Sequence, residues 1–184
     1  MFKIRVILLL LMVVCTKVRA SDAFEGIKCG LDIPKSLVGK RDSNERVVVL
    51  EERYKKLGLK NAGGDEISDR LFLESWLICG SEYELLVNIK GGLVRDVLPF
   101  PQHSAKSPQF IGTCQADGKE IPETVLALLD NSAGYNARDQ NAAKTMLKAT
   151  AAWKLDEFKE KFVKQSTENL ACPLDGIATR DGGP

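Results

Sequence analysis

The 184-residue chain has one histidine and two tryptophans. A histidine-dependent mechanism therefore has a single candidate, His103, flanked by Gln102 and Ser104. Neighbours on an extended segment point to opposite sides, so Ser104 is poorly placed as a nucleophile for that base. There is no Gly-x-Ser-x-Gly elbow, no His-Glu-x-x-His, no phosphate-cradling glycine loop and no dinucleotide fingerprint. Each of these places a nucleophile, a zinc ion or a phosphate by its spacing, and none of those chemistries has its usual scaffold here. Also absent are an internal repeat of 20 to 50 residues and a low-complexity linker. One domain over residues 21–184 is the economical reading.

Long apolar runs are scarce. Only Val6–Cys15 is unbroken, and a membrane-spanning helix needs about 20 apolar residues. That run follows Lys3 and Arg5 and precedes Val18 and Ala20, small residues three and one positions before a cut after Ala20. A positive start, a short apolar core and a small-residue end form the pattern of a secretory signal peptide over residues 1–20. The competing reading is a retained amphipathic anchor. Cleavage takes four basic residues with it, leaving 22 basic against 25 acidic and a net charge of −3. Without a basic block the remaining chain is a poor partner for nucleic acid and for anionic membrane. No stable membrane insertion is expected after cleavage, and the location expected is exported, either secreted or periplasmic.

Cys15 leaves with the leader, and Cys29, Cys79, Cys114 and Cys172 remain. An even count in an oxidising compartment reads as two disulfides. No Cys-x-x-Cys occurs and no histidine lies close to a cysteine in sequence, which speaks against a zinc site or a reactive thiol. Four cysteines allow three pairings. Their positions favour a nested one, Cys29–Cys172 joining the ends and Cys79–Cys114 the middle.

Alternation marks the strands. Tyr83, Leu85, Val87 and Ile89 point one way and Glu82, Glu84 and Asn88 the other, with Leu86 the exception. Gly91-Gly92 then turns the chain into Leu93–Leu98. Asp117-Gly118 marks a second hairpin. Further on, Ala149, Ala151, Trp153 and Leu155 read as one face of a strand that returns through Lys161–Gln165 after a turn at Glu157–Glu160. Val47–Leu59 fits either a strand or a helix and leans to helix, while Asn61–Gly64 reads as a turn cluster. Asn131–Lys144 reads as a long loop or a weak helix and the tail after Cys172 as frayed. Hairpins joined by short turns predict a mainly β fold, an antiparallel sandwich or partly closed barrel with one or two short helices. A small α+β fold is the alternative.

Carboxylates for a hydrolase would be sought at Asp65-Glu66 with Asp69 and at Asp156-Glu157, although charged turn residues are usually solvated surface. Asp65, Glu66 and Asp69 lack the calcium-loop spacing. Trp76, Trp153, Tyr83, Phe72 and Phe162 are candidates for an aromatic platform, with core packing the plainer reading for Trp153. No catalytic residue, metal or cofactor is assigned. The reading favoured is an exported, disulfide-stapled binding or inhibitory module for a protein or envelope polymer. Its contact loop would comprise Pro99, Phe100, Pro101 and His103, bracketed by prolines that keep it out of a sheet. A small carboxylate-dependent hydrolase and a passive envelope component are the alternatives.

Overall fold

Which faces of the strands are covered follows from the residues that alternate along them. The computed structural model describes residues 22–43, 45–136 and 144–174. The signal-like segment at residues 1–20, much of the Asn131–Lys144 segment and the tail from residue 175 lie outside the described residues. The protein is mainly antiparallel β in two sheets, with two short helices.

Sheet I is a meander of β1 (Lys60–Glu66), β2 (Leu71–Ile78), β3 (Ser81–Asn88) and β4 (Leu93–Phe100). The β2–β3 connection is the two-residue turn Cys79-Gly80, with φ of 55° and 79°, the geometry that matches strand twist in a tight hairpin. Leu85 and Val87 on β3, with Trp76 and Ile78 on β2, face a layer built from the entry segment. That layer comprises Phe24 and Ile27, helix α1 (Ile33–Leu37), helix α2 (Val47–Arg53) and a 3-10 turn (Lys55–Leu57). Asp32 caps α1 by accepting from the Lys35 N–H at 3.1 Å. Helix spacing wins in the ambiguous stretch because Leu50, Tyr54 and Leu57 all reach the sheet, leaving Val47–Val49 exposed.

Sheet II is curled into a half-barrel. It orders β5 (Gln109–Gly112), β8 (Val125–Leu129), β9 (Met146–Asp156), β11 (Leu170–Pro173), β6 (Gln115–Ala116) and β7 (Lys119–Glu120), with β10 (Lys161–Lys164) also beside β9. Every residue of β8 is buried, because Val125, Ala127 and Leu129 fill the half-barrel while Leu126 and Leu128 face sheet I. Leu71, Leu86 and Phe100 of sheet I meet Leu126, Leu128 and Leu155 in this shared core. Leu86 thus breaks the alternation of β3 because the polar-looking face is covered by a second sheet.

Three expectations change. The Ala149–Leu155 face is split by a bulge: Leu128 pairs with Ala151 and Leu129 with Ala149, leaving Thr150 as the extra residue. One extra residue exchanges the faces, so Ala149 and Ala152 line the half-barrel while Ala151, Trp153 and Leu155 meet sheet I. Next, Asn61–Gly64 is part of edge strand β1 and not a turn. Gly64 is needed for closeness, since a Cβ there would lie 2.6 Å from the Leu73 carbonyl oxygen and 2.7 Å from the Phe72 ring. Gly64→Ala is expected to cost about 1–2 kcal/mol in urea unfolding through overpacking. Gly91→Ala, whose nearest contact would be 3.7 Å, should stay within about 0.5 kcal/mol of the parent. Equal stability of the two variants would contradict the close packing at Gly64.

The third change is the disulfide pattern. Cys29 joins Cys79 and Cys114 joins Cys172, replacing the nested pairing of Cys29 with Cys172 and Cys79 with Cys114. Each half of the chain folds on itself, so each bond closes within one half. Ala171 pairs with Gln115 across β11 and β6, which brings Cys172 opposite Cys114 with a Cα separation of 4.3 Å. The Cys29–Cys79 bond instead ties the entry segment to the β2–β3 turn.

Candidate functional site

The loop singled out in the sequence is anchored between the sheets. Pro99 lies on β4 opposite Tyr83, at the outer strand of sheet I where a proline costs no ladder bond. Pro99 and Pro101 are exposed, but Phe100 is only 5% exposed and its ring packs 5.8 Å from that of Trp153. Phe100 is therefore part of the shared core and its ring is not offered at the surface. His103 is half-buried, with Nε2 2.8 Å from Glu82 Oε2 and its ring edge-on to Phe100. Ser104 pairs with Ser107 through backbone hydrogen bonds of 3.0 and 2.9 Å. The Pro108 carbonyl accepts from the Leu129 N–H and the Lys106 carbonyl from the Asn131 N–H, so the loop is strapped onto β8.

The carboxylate clusters visible in the sequence do not converge on a cavity. Asp65 and Glu66 are exposed on the edge strand β1. Asp156 accepts from the N–H groups of Lys159 and Phe158 at 3.0 and 3.2 Å, which with the Lys159 ammonium holds its carboxyl below the usual range. The aromatic candidates are likewise divided: Trp76 and Tyr83 pack with the helical layer, whereas Trp153 and Phe162 lie between the sheets. Among the described residues no group of three or more His, Cys, Asp or Glu is arranged to hold a metal ion. No described helix is long and apolar enough to cross a membrane.

Two other carboxyl sites are assembled by the fold. Between the sheets, Glu84 accepts from the Ser75 hydroxyl at 2.5 Å and from Gln109 Nε2 at 2.7 Å. All three residues are no more than 2% exposed, so this cluster cross-links the sheets and is shut to any substrate. The second site opens to solvent. A cavity of about 260 Å³ lies where the helical layer meets β1 and β2, lined by Asp42, Glu45 and Glu74 together with Trp76, Phe72 and Gly64.

Strand alternation places Phe72, Glu74 and Trp76 on one face of β2, and the segment after α1 brings Asp42 over them. That segment is fixed by Gly39 and Asp42 N–H groups donating to the Val94 and Gly92 carbonyls at 2.8 and 2.6 Å. Glu74 accepts from the Trp76 indole N–H at 2.8 Å and hydrogen-bonds to the Asp42 carboxyl. Burial, then the neighbouring Asp42 charge, pushes the Glu74 carboxyl up to about 7. Asp42 is also raised, chiefly by burial, with the Ser43 N–H at 2.7 Å acting in the opposite direction. Burial and mutual repulsion thus both disfavour ionising the two neighbouring acids together, and their titration belongs to the pair.

The surrounding cations are engaged elsewhere. Arg53 is engaged by Asp22 at 2.8 Å and Glu45 at 2.5 Å. Asp22 is further bound by the Tyr54 hydroxyl at 2.8 Å and adds negative potential at Asp42. No ion pair between a lysine or arginine and either Asp42 or Glu74 occurs among the described residues. Asp42 and Glu74 are 32 positions apart and neither belongs to a motif, so no sequence signal joined them. Comparison with protein families, curated proteins and solved structures finds no match to this chain.

Proposed function

We propose that the protein is an exported, disulfide-stapled binding module whose recognition pocket is the Asp42–Glu74 cavity, and that the group it takes is an amine or guanidinium borne by a partner. The observation supporting this is the carboxyl pair itself: two neighbouring acids lining one cavity, Glu74 accepting from the Trp76 indole N–H, with no cationic side chain of the described residues paired to them. A cation that enters favours the ionised form of both acids, which then face it in a partly desolvated setting where charge-assisted hydrogen bonds are strong. Phe72, half-buried at the cavity, offers apolar wall to the stem of a lysine or arginine side chain.

The alternative of glycoside hydrolysis has less support, because the two carboxyls lie in contact whereas those reactions need separations of about 5 Å or more. A partner that also met the Pro99–His103 loop would touch Pro99 and Pro101, with Phe100 held beneath. Export rests on the signal-like leader and agrees with the two disulfides.

Titration of N-acetyl-lysine-N-methylamide into 15N-labelled protein tests the assignment. The Trp76 indole N–H and the Gly64 amide are expected to shift, with affinity rising roughly tenfold from pH 6 to pH 8 as the Glu74 proton is lost near pH 7. Glu74→Gln should weaken binding at pH 8 at least tenfold. An indole signal that does not move at millimolar probe, or equal affinity in the variant, would refute the pocket assignment.

A further inference from the structure

We propose that strand β1 takes an extended segment of a protein partner as an added antiparallel strand, and that a lysine or arginine of that segment, paired opposite Gly64, fills the Asp42–Glu74 cavity. This rests on the cation-pocket reading and adds the form in which the cation arrives. Sheet I has β1 and β4 as its outer strands. Residues 39–42 run beside β4: the Gly39 N–H donates to the Val94 carbonyl, the Val94 N–H to Lys40 and the Asp42 N–H to Gly92. On the outer side of β1 no described strand pairs, and residues 63–66 are all exposed.

Register fixes which backbone groups face outward. The Ile67 N–H donates to the Leu71 carbonyl at 3.0 Å, so the hydrogen-bonded positions of this antiparallel ladder recur at Asp65–Leu73 and Gly63–Ser75. The N–H and carbonyl groups of Gly64 and Glu66 therefore point away from β2. Asn61 has the same outward sense, and its N–H donates to Glu51 of α2 at 2.8 Å. Edges are commonly blunted by lysine, proline or a bulge. Lys60 and the bulge at Ala62 protect one end of β1, whereas residues 63–66 carry none of these devices. Backbone pairing there supplies affinity, and side chains at alternate positions supply selectivity.

Position and charge select the occupant. Gly64 pairs with Glu74 and Glu66 with Phe72, so these positions share the cavity face. A residue opposite Gly64 stands two strand spacings of about 4.8 Å each from Glu74, and a lysine or arginine side chain crosses that span over a position with no side chain, along Phe72. Two residues away on the same face the added strand meets Glu66, where a second basic residue makes a favourable cross-strand pair. The cavity lining carries Asp42, Glu45 and Glu74 and no lysine or arginine. Around it Lys60, Arg41 and Arg46 are matched by Glu51, Asp65 and Glu66. Arg53 is held by Asp22 and Glu45, so the balance at this edge stays negative. A second copy of β1 is a poorer occupant, because its open half, residues 63–66, has no cation to place in the cavity.

The test titrates 15N-labelled protein at pH 8 with N-acetyl-lysine-N-methylamide and with the capped heptapeptide Ser-Thr-Lys-Val-Lys-Thr-Ser, whose lysines would stand opposite Glu66 and Gly64. The heptapeptide is expected to bind at least tenfold more tightly than the single lysine and to slow hydrogen exchange at the Gly64 and Glu66 amides at least tenfold. Methylating the backbone nitrogen of its second lysine should return the affinity to that of the single lysine. Glu66→Lys, a change at an exposed position, should weaken the heptapeptide at least fivefold, leave the single lysine within twofold, and favour Ser-Thr-Glu-Val-Lys-Thr-Ser instead. The added strand is overturned, and the cavity assignment left standing, if the single lysine binds and the heptapeptide gains nothing over it, or if either amide exchanges as before. Failure of both probes overturns both readings. Gly64 and Glu66 amides already protected in the free protein, or a dimer in sedimentation that the heptapeptide does not dissociate, also overturns the added strand.

Discussion

Replacing Cys114 and Cys172 together with alanine is expected to remove about 4 kcal/mol from the unfolding free energy, enough to leave a protein of ordinary stability marginal. The bond closes a loop of 58 residues, and the chain-entropy cost of leaving such a loop open in the unfolded state is about 4 kcal/mol. Both cysteines are fully buried in the half-barrel, so the alanine pair also leaves unfilled volume against Phe110 and Leu147. The Cys29–Cys79 bond spans 50 residues and carries a similar entropic term, but Cys29 is exposed and Cys79 half-buried. Removing it should cost less, because little core volume is lost with it. The same difference in exposure predicts an order of reduction. Under native conditions dithiothreitol should open Cys29–Cys79 first and leave Cys114–Cys172 intact until the half-barrel unfolds. Urea unfolding of the two alanine pairs, with timed alkylation and peptide mapping, checks both points; loss of the buried bond first would contradict the packing described.

The second large effect concerns pH. Glu74→Gln is expected to stabilise the protein by about 2–3 kcal/mol at pH 8 and by almost nothing at pH 4.5. In the folded state the Glu74 carboxyl is pushed from its ordinary value near 4.5 up to about 7. The folded protein therefore binds the extra proton more tightly than the unfolded chain. The favourable contribution is complete below about pH 4.5 and is lost as pH rises through 7. At about 1.4 kcal/mol per unit the full effect is about 3.5 kcal/mol, reduced somewhat because the pair is coupled and reached by solvent. Glutamine keeps both contacts, its amide donating to Asp42 and its oxygen accepting from the Trp76 indole, without a charge to desolvate. Parallel pH profiles for parent and variant would contradict this. The instability of the ionised pair is what a bound cation would relieve, so stability and recognition are linked at one residue.

How much was legible in the sequence differs from element to element. The Gly91-Gly92 and Asp117-Gly118 turns were readable because positive φ is a local requirement that few residues meet. The Tyr83–Val87 alternation identified β3 and even isolated Leu86 as anomalous. The Thr150 bulge was not readable: an extra residue in a strand leaves the local pattern of alanines unchanged and shows only in the partner strand's register. Gly63-Gly64 resembles a turn because sequence shows the missing side chain but not the Phe72 ring that occupies its place. Phe100 between two prolines resembles an exposed loop for a similar reason, since the strand that buries it arrives from β9.

The sequence by itself determined the class: period-two strands, glycine turns, a signal-like leader and an even cysteine count specify a stapled antiparallel β protein, all through local or compositional constraints. Only the tertiary structure decided which cysteines meet, which face of β9 looks inward, and that Asp42 and Glu74 line one cavity. These depend on register and on sheet-on-sheet packing. Both bring together residues tens of positions apart, and packing energy is gained between such residues without leaving a pattern in the sequence of either one.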